Sequence, residues 1–227
     1  MPARNIVKTY VAGGYYHIYN RGIEKRIIFE DEMDYKTFLR YLKEALSPPP
    51  NPNKNKVIVT LKGGTFKGLP KPVKNFNGAI SLIAYCLMPN HFHLLVEQTE
   101  ERDIKKFMQS VITRYSMYFN KKYTRVGKLF QGHYKAVLIV DENYLLHLSR
   151  YIHLNPSEYT RNLEAAYSSY GEYLGKRNTS WINPEVILSF FENANKDFMK
   201  GINTYIDFVE KYRGDSALIL GKITLES

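Results

Sequence analysis

Two histidines separated by a single residue, His91 and His93, lie near the middle of the chain. The segment around them, residues 88–96, is rich in apolar and aromatic residues, which predicts a β-strand. Alternate side chains of a strand point to the same face, so the two imidazoles should lie side by side, with Phe92 on the other face. Such a pair can bind a metal ion if another element supplies a third ligand. A pair of surface histidines without a ligand is the competing interpretation.

Tyr151 and Asn155 are a second pair with chemical potential, in a segment with apolar residues at helical spacing. Residues four apart share one face of a helix. An amide oxygen is a suitable ligand for Mg²⁺ or Mn²⁺. A phenolic oxygen that has lost its proton can attack phosphorus when a metal ion polarises the phosphate. The competing interpretation of Tyr151 is a tyrosine packed at the rim of the core.

The elements that must position these residues follow from periodicity. Apolar spacing predicts helices over residues 32–46, 100–120 and 142–155. Segments rich in β-branched and aromatic residues predict strands over residues 15–20, 57–61, 79–87 and 134–140, besides the histidine strand. The turn at residues 88–90 makes the two central strands antiparallel, unless they run on as one bent strand. The order of elements predicts an α+β, ferredoxin-like antiparallel sheet with helices on one face.

The chain divides into a main domain, predicted at residues 1–159, and a C-terminal helical extension at 160–227. Residues 48–78 are rich in Pro, Asn and Gly and are predicted to form an insertion containing a hairpin. The extension is expected to carry short helices at residues 184–191 and 203–212, outside the central sheet.

The charge of the chain favours a polyanionic partner. Lys and Arg number 32 against 22 Asp and Glu, a net charge of +10, so nucleic acid is the first candidate. Residues 104–140 contain no acidic residue and interleave basic with aromatic side chains, a composition typical of single-stranded DNA surfaces. An ordinary solvated face is the competing interpretation. The predicted DNA-binding residues are Arg21, Arg114, Lys121, Lys122, Arg125, Lys128 and Lys135.

Other classes are disfavoured by composition. The single cysteine, Cys86, allows no intrachain disulfide and no cysteine-based zinc site. No apolar run reaches the 18 residues of a membrane span, and the first residues lack the apolar run of a signal peptide. We therefore expect a cytoplasmic protein. His17 is expected in the core or at its rim, and a position near the site is the alternative. We expect the remaining histidines at the surface or facing DNA: His133, His147 and His153.

The sequence resembles the single-tyrosine HUH transposases of the IS200-like family, most closely the REP-associated tyrosine transposases. The family's pair of histidines around a bulky apolar residue is matched by residues 91–93, and its Tyr-Ile-x-x-Asn-Pro motif by residues 151–156. Further similar segments are residues 16–22, 118–132 and 168–170.

The resemblance implies a mechanism and a site. His91, His93 and Asn155 would hold one Mg²⁺ or Mn²⁺ ion at a phosphate of single-stranded DNA. Tyr151 would attack that phosphate, leaving a free 3′-hydroxyl and a 5′-phosphotyrosine that a second 3′-hydroxyl can resolve. Relatives act at stem-loop DNA, and some are homodimers. Two rival functions remain: a non-catalytic nucleic-acid-binding module, since RNA-recognition domains share this fold, and a metallonuclease that uses water as its nucleophile.

Overall fold

The computed structural model describes residues 10–49, 51, 57–61, 64–68, 73–192 and 202–211. Within these ranges the main helices and strands lie close to their predicted positions, and the largest shifts are the starts of the second helix and of the histidine strand, each three residues later than expected. The elements are β1 Tyr15–Arg21, α1 Glu32–Leu46, β2 Val57–Leu61, β3 Gly64–Gly68, β4 Ile80–Met88, β5 His91–Gln98, α2 Asp103–Lys122, β6 Lys135–Ile139, α3 Glu142–Leu154, α4 Tyr170–Tyr173, α5 Glu185–Glu192 and α6 Tyr205–Glu210. None of the helices in the described ranges is long and apolar enough to cross a membrane.

The main sheet has four antiparallel strands in the order β4-β5-β1-β6. The first and last strands of the domain are neighbours, and β4 and β5 form a hairpin joined by Pro89 and Asn90. This arrangement confirms the α+β, ferredoxin-like fold class. The strands β2 and β3 form a separate hairpin within the predicted insertion.

The last residues of the predicted insertion are anchored on α1. Phe76 is buried in the core, and the side-chain amides of Asn75 and Asn77 donate hydrogen bonds to backbone carbonyls at the end of α1. Residues 50, 52–56, 62–63 and 69–72 of the predicted insertion lie outside the described residues.

Helices cover both faces of the sheet, which corrects the expectation of helices on one face. The residues Phe92, Leu94 and Val96 of β5 share a core with α1 and α2, whereas Leu95 packs on the opposite face in the core formed with α3, α5 and α6. The physical reason lies in β4 and β5, where nearly every residue is buried. A strand that is apolar without alternation must be covered on both faces, so α3 and the C-terminal helices complete the second layer.

The C-terminal segment packs along the outer edge of β4. Its described residues add no further strand to the sheet. Leu87 donates a backbone hydrogen bond to Tyr167 at 2.8 Å, and Asn183 donates one to Leu82 at 2.8 Å. These bonds satisfy backbone groups that an open edge strand would expose. The division of the chain at residue 160 remains a prediction.

Two histidines of α3 are buried, which corrects their expected position at the surface. His147 is 2% exposed and packs against the ring of Phe208, and His153 is fully buried. The Nδ1 atom of His153 lies 2.7 Å from the hydroxyl of Tyr205, and its Nε2 atom lies 2.8 Å from the hydroxyl of Ser169. These two imidazoles face the C-terminal segment rather than solvent, whereas His133 is exposed as expected.

The burial of His153 predicts a pH-dependent stability. Burial, with a smaller effect from the Arg177 charge, lowers the pKa of His153 to about 3. Below the ordinary histidine pKa of about 6.5, the unfolded chain binds a proton that the folded chain does not, so stability falls as pH falls. We expect His153→Gln to reduce this loss by about 1.4 kcal/mol per pH unit between pH 6 and pH 4.

Urea unfolding at several pH values measures this dependence. The control is His133→Gln, which makes the same substitution at an exposed imidazole. A His153→Gln variant whose unfolding free energy varies with pH as steeply as the wild type would contradict the assignment.

Candidate active site

The site lies between the start of β5 and the end of α3. His91 and His93 share the face of β5 that α3 covers, as the alternation predicted. Asn155 is the C-cap of α3, and Tyr151 lies one turn earlier on the same helix. The four residues predicted to carry the chemistry are therefore brought together by one strand–helix contact.

His91 and Asn155 present two acceptor atoms to each other. The Nδ1 atom of His91 lies 2.6 Å from the side-chain oxygen of Asn90, so Nδ1 carries the proton and donates it to that oxygen. Burial is the largest effect on His91 and lowers its pKa, which favours the neutral ring with a lone pair on Nε2. The amide nitrogen of Asn155 donates to the carbonyl of Tyr151 at 3.0 Å, so its oxygen Oδ1 faces His91 Nε2, at 3.4 Å.

A small divalent cation fits between these two acceptors. Ligands at about 2.1 Å from one ion and 90–109° apart are separated by about 3.0–3.4 Å. The observed separation of 3.4 Å between His91 Nε2 and Asn155 Oδ1 lies at the upper end of this range. Two lone pairs that face each other without a proton repel, and a cation between them would convert that repulsion into attraction.

His93 offers a third ligand atom. Its side chain is fully buried, and its ring centroid lies 5.0 Å from that of His91 with the planes perpendicular. Its Nε2 atom is buried and has no hydrogen-bond partner among the described residues. Burial, followed by the nearby His17 and His91, holds the pKa of His93 well below its ordinary value, so the ring is neutral and able to bind a metal ion.

The predicted ligand set would combine the two histidines with an amide instead of a carboxylate or a third histidine. In the part of the chain that the structure describes, no cluster of three or more His, Cys, Asp or Glu side chains could hold a metal ion. Asn155 is therefore needed to complete a three-ligand set with His91 and His93. Two imidazoles and one amide oxygen are compatible with a divalent ion such as Mn²⁺ or Mg²⁺.

Tyr151 lies beside the histidines. Its ring centroid is 5.4 Å from that of His93 and meets it edge-on, at an interplanar angle of 87°. The side chain is half-buried, so core packing alone does not explain its position. Asp141 caps the start of α3 by accepting a hydrogen bond from the backbone of Tyr144 at 2.7 Å, which fixes where the helix begins.

The sheet separates the predicted DNA-binding residues into two groups. Directly paired residues of an antiparallel sheet point to the same face. Arg21 pairs with His91, and Lys135 pairs with Tyr19, which in turn pairs with His93. Arg21 and Lys135 therefore share the face of the site, and the charge of Arg21 contributes to lowering the pKa of His91.

The other group belongs to α2 and to the segment after it, and α2 lies on the opposite face. Lys122 forms ion pairs with Asp31 and Asp34, each at 2.7 Å, and Arg114 forms an ion pair with Glu44. The segment 104–140 has no acidic residue of its own. Because α1 packs against α2, carboxylates from other parts of the chain lie next to its basic side chains. Arg125 donates to the side chain of Asn120 at 3.1 Å, and Lys121 and Lys128 are exposed. The DNA contacts of all seven residues remain predictions.

Two residues near the site were given no definite role by the sequence. Asn90 adjoins the motif, but only the structure shows that its oxygen sets the proton position on His91. His17 was placed in the core or near the site, and the structure puts its Nε2 atom 2.8 Å from His93 Nδ1. Alternation in β1 predicts the face of His17, but the sequence does not reveal that β1 pairs with β5.

The model of a known protein family, described as transposase, IS200-like, matches residues 53–155, which include all four site residues. Residues 53–155 of the chain therefore carry an IS200-like transposase domain. This match supports a DNA-processing enzyme of the transposase class. The fold agrees with that of a solved REP-associated tyrosine transposase bound to a REP hairpin, at 10% sequence identity and a TM-score of 0.51, over 80% of this chain and 98% of that one.

A second solved structure, of a proposed transposase from Deinococcus radiodurans R1, is 16% identical over 67% of this chain and 95% of that one, with a TM-score of 0.36. The search of curated proteins gave no match.

Removing either histidine of the IS200-like motif should abolish metal binding. His91→Ala and His93→Ala each remove one of three ligand atoms, so we expect Mn²⁺ affinity to fall by at least about 100-fold. Calorimetric titration with Mn²⁺, without DNA, measures this loss, and His133→Ala is the control. Mn²⁺ binding by the double variant His91→Ala/His93→Ala at wild-type affinity would refute the metal site.

The two faces of the sheet predict different DNA contacts for two exposed lysines. Lys135→Gln, on the face of the site, should weaken hairpin binding and reduce the log–log salt dependence by about 0.7, the amount expected for one single-strand phosphate contact. Lys121→Gln removes the same charge from the opposite face and serves as the matched control. Fluorescence anisotropy over a salt series measures both, and a larger effect of Lys121→Gln would reverse the assignment of faces.

Proposed function

We propose that this IS200-like protein cleaves and rejoins single-stranded DNA, with Tyr151 as nucleophile and His91, His93 and Asn155 as ligands of one Mg²⁺ or Mn²⁺ ion. The observation that carries the proposal is the pair of facing acceptors, His91 Nε2 and Asn155 Oδ1, at 3.4 Å, together with the ring of Tyr151 against that of His93. An ion held there would polarise a non-bridging oxygen of the scissile phosphate.

The reaction is a transesterification at phosphorus. The phenolic oxygen of Tyr151 forms a bond to the phosphorus atom as the bond from phosphorus to the 3′ oxygen breaks. The phenolic proton passes to solvent, and the departing 3′ oxygen takes up a proton to become a hydroxyl. The products are a 5′-phosphotyrosine and a free 3′-hydroxyl, and attack by another 3′-hydroxyl reverses the step and joins new ends without a nucleotide cofactor.

The reaction requires Tyr151 to lie close to the phosphate that the metal ion would bind. A nucleophile must approach within roughly 3–3.5 Å of the atom it attacks. Tyr151 and Asn155 are joined by a side-chain hydrogen bond to the Tyr151 carbonyl, so nucleophile and ligand move as one unit.

Hairpin DNA is the substrate class that we propose. The net charge of +10 favours a polyanion, and the structurally similar REP-associated tyrosine transposase was solved with a REP hairpin. Arg21 and Lys135 share the face of the site and would contact the strand that enters it.

The rival function as an RNA-recognition module is disfavoured by the second layer of helices. Such modules stack bases on aromatic side chains of an open sheet face. Here α1 and α2 cover one face and α3 packs against β4 and β5 on the other. The water-using metallonuclease shares the metal ligands with our proposal and differs from it only in the role of Tyr151.

Substitution of Tyr151 by Phe tests the nucleophile. We expect Tyr151→Phe to lose the covalent protein–DNA adduct and strand transfer, by at least about 1,000-fold, while it still binds Mn²⁺ and hairpin DNA. Denaturing electrophoresis with a labelled hairpin that carries a single-stranded flank measures the adduct.

The matched control is Tyr144→Phe, on the same helix two turns earlier. The Tyr144 hydroxyl is buried and has no hydrogen-bond partner among the described residues, so its loss should leave the adduct unchanged. An adduct that persists in Tyr151→Phe would overturn the assignment, and continued cleavage without an adduct would identify water as the nucleophile.

A further inference from the structure

We propose that His17 is a positioning residue that accepts the Nδ1 proton of His93 and thereby keeps the His93 Nε2 lone pair free for the metal ion. The inference rests on the proposed metal-dependent function. Its basis is the contact between two buried imidazoles, in which His17 Nε2 lies 2.8 Å from His93 Nδ1.

The geometry of the pair is that of an edge-to-edge hydrogen bond. The ring centroids are 5.1 Å apart and the ring planes differ by 19°, whereas the two nitrogens are much closer together than the centroids. The nitrogens therefore lie between the ring centres, where an N–H in one ring plane can point at the lone pair of the other ring. His17 and His93 are 1% and 0% exposed, so water does not compete for this bond.

A count of protons shows why the direction of this bond matters. A neutral imidazole has one N–H and one lone pair. If His93 donates from Nδ1, its Nε2 retains the lone pair and His17 Nδ1 carries a proton. If His17 donates from Nε2, a proton must sit on His93 Nε2, and that atom cannot bind a metal ion. Only the first arrangement is compatible with the proposed ligand set.

The two outer nitrogens leave the direction of this bond to the metal ion. His93 Nε2 and His17 Nδ1 are buried, and neither has a hydrogen-bond partner among the residues that the structure describes. None of the described residues therefore fixes the proton on either outer nitrogen. His91 differs, because the oxygen of Asn90 can only accept and so fixes the tautomer of His91 without a metal ion.

His17 is not itself a ligand in this arrangement. Its Nε2 atom is directed at His93 Nδ1, which is the ring nitrogen opposite the proposed metal position. A hydrogen bond to the second nitrogen of a ligating histidine fixes its orientation and raises its basicity, and its loss commonly costs about 10- to 100-fold in metal affinity. We assign that role to His17, on the strand β1 that pairs with β5.

The test is Mn²⁺ affinity measured by calorimetry on the full chain without DNA. His17→Phe keeps a flat ring but removes the acceptor, so the Kd should rise about 10- to 100-fold. His17→Gln supplies an amide oxygen near the position of the imidazole Nε2 and should bind Mn²⁺ within about threefold of the wild type. His133→Gln controls for the loss of a histidine elsewhere.

A second measurement needs no variant and decides the matter if His17→Phe fails to fold. In protein labelled with ¹⁵N-histidine and saturated with diamagnetic Mg²⁺, the NMR shifts of His93 and of His17 should each show a proton on Nδ1 and none on Nε2. A proton on Nε2, a His17→Phe variant that binds Mn²⁺ as tightly as the wild type, or a His17→Gln variant as weak as His17→Phe would each overturn the role of His17.

These results are separable from the fate of the proposed function. If Mn²⁺ affinity depends on His17 but no Tyr151 adduct forms, the positioning role stands and the nucleophile assignment fails. If the adduct forms but Mn²⁺ affinity is indifferent to His17, the function stands and the positioning role fails.

Discussion

The burial of β5 on both faces is the constraint on which the rest of the structure depends. Its apolar residues on one side form the core with α1 and α2, so the other side, which carries His91 and His93, must also be covered. The helix α3 supplies that cover, and its C-terminal end brings Asn155 to His91. Two histidines on a covered strand would be costly without partners, since a buried polar group that lacks a hydrogen bond loses its hydration without compensation. The hydrogen bonds of Asn90 and His17 reduce this cost, and His93 Nε2 is left as the open position.

The C-terminal segment holds α3 against the sheet through a buried polar network. His153 on the far side of α3 bridges Tyr205 and Ser169, and Ser169 in turn accepts a hydrogen bond from the backbone of β4 at 2.9 Å. A buried network of this kind is stabilising only when every member is satisfied, so it permits one orientation of the helix. The segment that looked like an extension in sequence is therefore part of the support of the site. The position of Tyr151 depends on residues more than 50 positions away in the chain.

The sequence predicted the parts of the site that depend on local geometry. Alternation placed His91 and His93 on one face, and helical spacing placed Tyr151 beside Asn155. It did not predict features that depend on which elements are neighbours. The contact of His17 with His93 requires β1 to pair with β5, and the ion pairs of Lys122 require α1 to pack on α2. The burial of His147 and His153 depends on Phe208, Tyr205 and Ser169, whose proximity no local pattern reveals.

The central claim is that Tyr151 becomes covalently bonded to DNA. The most direct measurement is mass spectrometry of tryptic peptides after incubation with Mn²⁺ and a hairpin substrate that traps the adduct. Trypsin cleaves after Arg150 and Arg161, so the modified peptide should be residues 151–161, which contains both Tyr151 and Tyr159. We expect fragment ions that place the nucleotide mass on Tyr151. Nucleotide mass on Tyr159 or on any other residue, or cleaved DNA without a modified peptide, would contradict it.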